Sequence, residues 1–228
     1  MLGEIVKVTV DRPLGSYHPN HSDLYYPINY GYIEGIIAPD GEEQDAYILG
    51  VDELVKEYTG KVIAIIHRYD DVEEKWVVAP ENVSYTREEI MEQVRFQEQY
   101  FDSEVRMLHE MKLKPNPFNL IKSGKKTIEL RLYDEKRQTI DVEDWIRFTN
   151  VTNEQENLHV KVKALHRFKT FEELYNKLPL LKCGYTEEDV HNATPEHMNK
   201  YYSKELQVKY GVVGIEIEMI DDNTCLLV

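Results

Sequence analysis

From residue 5 to residue 79 the sequence repeats one device: a short run of β-branched and aromatic residues, then a stop. EIVKVTV alternates and ends at Asp11-Arg12-Pro13, where proline removes a ladder donor. A polar loop, GSYHPNHSD, leads to an aromatic run from Tyr25 to Tyr32. The turn Pro39-Asp40-Gly41 precedes a strand at Ala46–Leu49. Lys61–His67 is continuously apolar, as a buried strand is, and the turn-like Tyr69–Glu74 opens onto Lys75–Ala79. Short strands at this spacing predict a small barrel.

After Asn82 the pattern changes. Ser84 or Thr86 can cap a helix whose first turn holds Glu88 and Glu89, and apolar residues recur at helical spacing from Arg87 to Met111. The spacing predicts one long helix, or two abutting ones, between the halves. Beyond it, Phe118–Ser123 reads as a short helix stopped by Gly124. Strands are predicted at Thr127–Leu132, Asp144–Phe148, Leu158–Phe168 and Tyr210–Met219, and helices at Glu172–Lys177 and Glu187–Tyr202. The fold class expected is α+β, mainly β: two small β-barrel domains, residues 1–105 and 106–228, joined by a helix.

The length of 228 residues suits two such domains. No run approaches the 18 or so apolar residues of a membrane span, and MLGEIVKVTVDR lacks an apolar export segment. With Cys183 and Cys225 as the only cysteines, a disulfide scaffold and a Cys-rich zinc module are excluded, and the expected location is cytoplasmic. The net charge of −15 is unevenly spread. Residues 1–105 hold 8 Lys and Arg against 22 Asp and Glu; residues 106–228 hold 19 against 20. An acidic half repels phosphate polymers unless divalent cations intervene, whereas a balanced half can carry a basic patch.

Two acidic turns concentrate the carboxylates: Asp40-Gly41-Glu42-Glu43-Gln44-Asp45, and Asp70, Asp71, Glu73 and Glu74. Carboxylates at this density are hard ligands of the kind Mg²⁺ prefers, and Mg²⁺ commonly bridges to substrate phosphates. Arg12, Lys75, Tyr26 and Tyr30 are nearby candidates for phosphate contacts. Acidic turns are also common as plain solvated loops.

Taken together, Val10-Asp11-Arg12, the run Tyr26–Ile33, Asp40–Asp45 and Asp70–Lys75 resemble the soluble, Mg²⁺-dependent inorganic pyrophosphatases over residues 4–101. The resemblance implies a small OB-like barrel with a flanking helix and hydrolysis of pyrophosphate. It implies phosphate contacts from Arg12, Tyr26, Tyr30, Lys75 and Tyr100, and metal ligands at Asp40, Asp45, Asp70 (or Asp71) and Glu73. Asp45 would orient the attacking water, with Glu42 beside it. The sequence departs from that family at Phe101, where a lysine is usual, and in an extra loop, Gly15–Asp23, that carries His18 and His21.

The second half offers a basic stretch. Residues 112–137 carry eight Lys and Arg against three acids, a net +5, and suit an RNA or nucleotide-phosphate surface. Strand alternation from Lys126 would place Lys126, Ile128 and Leu130 on one side and Thr127, Glu129 and Arg131 on the other. The run GKKTIELR, with LKPNPFNLIKS before it and YGVVGIEIEM near the end, resembles the ASCH domain, a PUA-like β-barrel family, over residues 109–220. That resemblance implies a cleft for RNA lined by Lys126, Glu129 and Arg131; the same trio also suits a structural ion-pair network. His159, His166, His191 and His197 lack the spacing of a metal site.

The function expected is Mg²⁺-dependent hydrolysis of pyrophosphate or another phosphoanhydride, with an appended RNA- or nucleotide-binding ASCH domain. The alternative is an RNA-binding ASCH protein whose pyrophosphatase-like barrel is non-catalytic. A minor third reading makes the second domain an amidohydrolase of modified nucleosides.

Overall fold

A computed structural model describes residues 2–220, which form two compact units, one up to Leu108 and one from His109. Cys225 lies outside the described residues. The fold is mixed α+β and mostly β. No helix among the described residues is long and apolar enough to cross a membrane.

The first unit contains β1 (Ile5–Arg12), β2 (Tyr17–His18), β3 (His21–Tyr25), β4 (Asn29–Ile37), β5 (Glu43–Ile48), β6 (Glu57–Arg68) and β7 (Glu74–Ala79). Strand order is β1–β4–β5–β7–β6, and β6 pairs back onto β1, closing a five-stranded barrel. Neighbours run antiparallel except β5 and β7, which are parallel. The loop read as GSYHPNHSD folds into the small β2–β3 hairpin. Tyr30, Tyr47, Leu49, Ala64, Ile66, Val77 and Ala79 form one buried cluster with Ile90 and Val94 of the helix that follows, while the opposite face of the same strands buries Val8, Ala46, Ile48, Val62, Trp76 and Val78. Gly31 in the Tyr-Gly-Tyr run is required by contact: a Cβ there would stand 2.8 Å from the Val10 Cα and overlap the Thr9 carbonyl oxygen.

Helix α1 (Arg87–Glu98) starts at Thr86, whose side chain and that of Glu89 form a reciprocal capping box. Ile90 and Val94 pack it against the face of the strands that carries Tyr30, Tyr47 and Val77. The helix does not continue to Met111. Residues Ser103–Leu113 form strand β8, which pairs with β6 from Arg68↔Ser103 to Ala64↔Met107. The unpaired edge of β6 supplies ladder partners that outweigh the helical periodicity of residues 103–111. The segment running from one unit into the next is therefore strand, not helix.

The second unit comprises α2 (Pro115–Lys122), β9 (Ile128–Leu132), α3 (Glu135–Gln138), β10 (Trp145–Asn150), β11 (Asn153–Phe168), α4 (Phe171–Lys177), α5 (Lys204–Tyr210) and β12 (Val212–Met219). The order β10–β11–β12–β9 is antiparallel throughout. β12 is buried on both faces. Val213, Ile215 and Ile217 enter one core with Phe118, Phe148 and Val160, while Val212 enters a second with Leu130, Phe171 and Leu174. Pro115 opens α2, where its missing N–H costs nothing, and Gly124 follows at φ 73°. The helix expected over Glu187–Tyr202 is replaced by 3-10 turns at Val190–Asn192 and Pro195–Lys200, because Pro195 interrupts the α ladder; α5 follows instead.

Candidate functional site

The barrel's strand register assembles a site from distant sequence. β5 and β7 pair in parallel with Ala46 opposite Trp76, which brings Asp45 beside Lys75. Lys75 is almost fully buried and bridges two carboxylates, Asp45 at 2.5 Å and Glu73. Buried Gln44 holds the same junction by donating to the backbone carbonyls of Asp45 and Glu74. On the other flank β1 carries a bulge between Val10 and Arg12, and Arg12 pairs opposite Tyr30 on β4. The Arg12 guanidinium lies 4.9 Å from the centre of the Tyr30 ring and 5.9 Å from that of Tyr26.

Arg12, Tyr30, Asp45, Glu73 and Lys75 line one cavity of about 580 Å³, together with Arg68, Asp71, His18, His21, Asp23, Leu24, Gln97, Tyr100 and Phe101. Arg68 is its most constrained member. Its side chain is 2% exposed, and its Nη2 and Nε donate to Glu98 at 2.6 and 3.0 Å. Its Nη1 reaches Asp71 at 3.2 Å and Glu73 at 3.3 Å, and the guanidinium stacks 3.6 Å from the Phe101 ring centre. Tyr47 donates to Glu98 at 2.5 Å from the other side.

Electrostatics follow from this burial. Desolvation opposes the charges of Arg12 and Arg68, yet both pKa values are raised. For Arg12 the opposing gain comes from Tyr30, Asp11, Tyr26 and Asp45; for Arg68 it comes mainly from Glu98. Burial first, then Asp45, pushes the Tyr30 hydroxyl well above its ordinary range, so Tyr30 stays a protonated donor. Asp71 moves the other way. Burial opposes its charge, but the N–H groups of Glu73 and Val72 and the Arg68 guanidinium stabilise the carboxylate and lower its pKa.

Of the residues singled out from sequence, Arg12, Tyr30, Asp45, Glu73, Lys75 and Tyr100 line this cavity, as do Asp71, His18 and His21. Tyr26 is fully buried next to Arg12 and is not a lining residue. Asp40, Glu42 and Asp70 stand outside it. Asp40 accepts from the Glu42 N–H within its own turn, and Asp70 accepts from the Asp102 N–H, so Asp71 is the member of the second acidic turn that faces in. Sequence reasoning missed Arg68 and Glu98. Glu98 had a signal: it continues the Ile90–Val94 stripe at the next i+4 position, on the buried face of α1.

In the second unit Lys126, Glu129 and Arg131 do meet, but as a buried network. Lys126 Nζ donates to the Cys183 carbonyl at 2.6 Å and lies 3.3 Å from Glu129; Arg131 Nε lies 2.8 Å from the other Glu129 oxygen. Arg131 also donates to the Lys112 carbonyl at 3.1 Å. Strand alternation did not separate Lys126 from Glu129, because β9 begins only at Ile128 and Lys126 folds back from the preceding turn. Exposed around them are Lys112, Lys114, Lys122 and Lys125. Burial opposes the charge of Arg131, but Glu129 and Tyr202 outweigh it and raise its pKa. A second cavity, about 450 Å³, lies elsewhere in this unit between Ile128, His166, Phe168, Leu178, Lys182 and Glu216.

Residues 111–221 match the ASCH domain family. The chain thus carries an ASCH domain, a PUA-like β-barrel. No curated protein matches the chain. Among solved structures, hypothetical protein PH0355 is 40% identical over 50% of this chain and 100% of its own, with a TM-score of 0.42. Protein PF0455 from Pyrococcus furiosus is 36% identical over 50% of this chain and 99% of its own, with a TM-score of 0.41. Inorganic pyrophosphatase from Ehrlichia chaffeensis is 15% identical over 47% of this chain and 88% of its own, with a TM-score of 0.38.

Proposed function

We propose that the first unit is a phosphate site that hydrolyses a phosphoanhydride, pyrophosphate being the simplest, with the help of Mg²⁺, and that the ASCH unit binds RNA or a nucleotide. The observation that carries the first part is the β5–β7 register, which gathers Asp45, Glu73 and Lys75 with Arg12, Arg68 and Asp71 in one cavity.

The donor set suits the metal in kind, once its ion pairs with Lys75 and Arg68 are released. Asp45, Asp71 and Glu73 are hard oxygen donors, and Mg²⁺ typically takes one or two carboxylates and completes its shell with water and substrate phosphate. Those three residues would hold it, and when bound it would neutralise phosphate charge and acidify a coordinated water. The chain's own groups do the rest. Arg12, Lys75 and Arg68 turn from carboxylates to phosphate oxygens, and Tyr30 donates its hydroxyl hydrogen. Asp45 accepts a proton from water as the water oxygen bonds to one phosphorus; the bridging P–O bond breaks, and two phosphates leave. Phosphate release from pyrophosphate that needs Mg²⁺, and falls at least about 100-fold in Asp45→Asn, tests this.

One observation favours the non-catalytic alternative. Asp45, Asp71 and Glu73 are already paired with Lys75 or Arg68, and no group of three or more His, Cys, Asp or Glu among the described residues is placed to hold a metal. Absence of both Mg²⁺ binding and turnover selects that alternative.

For the ASCH unit, the buried Lys126–Glu129–Arg131 network reads as the scaffold and the exposed lysines around it as the contacts. Binding of a single-stranded oligonucleotide that weakens steeply with salt, and whose salt slope drops by about one per lysine in Lys122→Ala and Lys125→Ala, tests this.

A further inference from the structure

We infer that the cavity of the first unit takes a nucleoside diphosphate or triphosphate, with its phosphates among Arg12, Arg68 and Lys75 and its base against the imidazole edge of the β2–β3 hairpin. This rests on the phosphate-site reading above and concerns the other end of the same ligand.

Size is the first reason. Cavities of about 300–1,000 Å³ hold ligands of drug size, and inorganic pyrophosphate fills only a fraction of the 580 Å³ here. The lining is also divided by chemistry. Arg12, Asp45, Arg68, Asp71, Glu73 and Lys75 form a charged part suited to phosphate. The remainder holds His18, His21, Leu24, Tyr100 and Phe101, whose ring faces and apolar carbon an inorganic anion leaves uncovered.

Arrangement of the rings is the second reason. Tyr26 packs on Tyr30 at 5.5 Å with 52° between planes, His18 stacks over Tyr26 at 6.4 Å with 21° between planes, and His21 follows His18 at 4.8 Å with 47° between planes. The ladder begins at buried Tyr30 and ends at His21, which is exposed. A ring ladder with an open last rung is a stacking platform for a heteroaromatic base. The state of His18 agrees with this. Its Nδ1 accepts the Asn20 N–H at 3.1 Å, so its hydrogen sits on Nε2. Burial first, then Arg12 and His21, lowers its pKa and keeps the ring neutral at pH 7, a stacking and donor group rather than a third phosphate cation. Asp23, on the same hairpin, adds an acceptor suited to ribose hydroxyls.

Calorimetry on the full chain with Mg²⁺ present tests the inference with two ligands that cannot turn over: the α,β-methylene analogue of ADP and methylenediphosphonate. The nucleotide analogue is expected to bind about tenfold more tightly, and His18→Ala and His21→Ala are each expected to reduce that ratio about three- to tenfold. Saturation-transfer NMR should show contact from protein to the adenine protons. Equal affinities, or a ratio that neither histidine variant changes, would overturn the inference while leaving the phosphate site standing. If neither ligand binds, the phosphate-site reading falls as well.

Discussion

Glu98 is the residue on which the first unit's cavity depends most. Its side chain is fully buried and accepts three hydrogen bonds, two from Arg68 and one from Tyr47. Replacing it with alanine leaves a guanidinium that is 2% exposed, with Asp71 and Glu73 as its remaining carboxylate partners, both at 3.2 Å or more and both partly in water. Breaking a buried pair by removing one partner costs about 3–5 kcal/mol, because the survivor keeps its desolvation penalty. For a unit of roughly this size, 1 kcal/mol shifts the midpoint by about 4 °C or somewhat more. Glu98→Ala should therefore lower the thermal midpoint of this unit by about 12–20 °C in calorimetry. Arg68→Met should cost a similar amount, and combining it with Glu98→Met should recover much of the loss, since the double variant leaves no orphaned charge. Single-variant losses below about 1 kcal/mol, or strictly additive losses in the double variant, would refute the claim that Arg68 and Glu98 act as one desolvated unit.

Other outcomes follow from single contacts. Gly31→Ala should destabilise the barrel by about 3 kcal/mol in denaturant titration, since the β1 backbone cannot retreat without opening the β1–β4 ladder; a neutral result would show that it can. Thr86→Ala removes one half of the α1 capping box and should cost about 1 kcal/mol by the same measurement. Asp71 has a lowered folded-state pKa, so its contribution to stability is complete above the unfolded value of about 3.9 and is lost as pH falls through the folded one. The stability gap between wild type and Asp71→Asn should accordingly close in acid, and a gap that widens below about pH 4 would contradict the sign. Burial pushes the Cys183 thiol up to about 11, so alkylation mapped to its peptide at pH 8 should be at least about 100-fold slower in the folded chain than in the denatured one.

Much of the barrel was legible because its signals are local. Alternation in Ile5–Val10, the apolar run through Ile66 and the stops at Pro13 and Gly41 each fix one strand without help from elsewhere. The helix cap was legible as Ser84 or Thr86, the second of which starts α1. What failed were choices settled by partners. Residues 103–113 carry a pattern that a helix and a strand both tolerate, and the open edge of β6 decided between them. Residues 187–202 have helical composition, but Pro195 breaks the ladder into separate short turns.

The site divides along the same line, and the division explains why motif and geometry disagree. Arg12, Tyr30, Asp45, Glu73 and Lys75 lie in the motif-bearing stretches, and strand register carries them to one place. Asp40, Glu42 and Asp70 belong to the same stretches, but they sit in turns that are bonded to their own backbone or to a neighbouring one, so no register delivers them to the cavity. Arg68 and Glu98 fill the gap from outside the motifs. A guanidinium anchored by a buried carboxylate now faces Asp71 and Glu73, which would otherwise repel each other. This exchange makes the occupant of the cavity a matter of competition. A divalent cation must displace Arg68 and Lys75 from Asp71, Glu73 and Asp45, whereas a polyphosphate gives both cations a new anionic partner and frees those carboxylates at the same moment. Metal and phosphate should hence bind with strong positive coupling. Mg²⁺ titrated alone should bind at least about tenfold more weakly than Mg²⁺ titrated with methylenediphosphonate present, and equal affinities in the two titrations would show that Arg68 and Lys75 do not guard the acidic side chains.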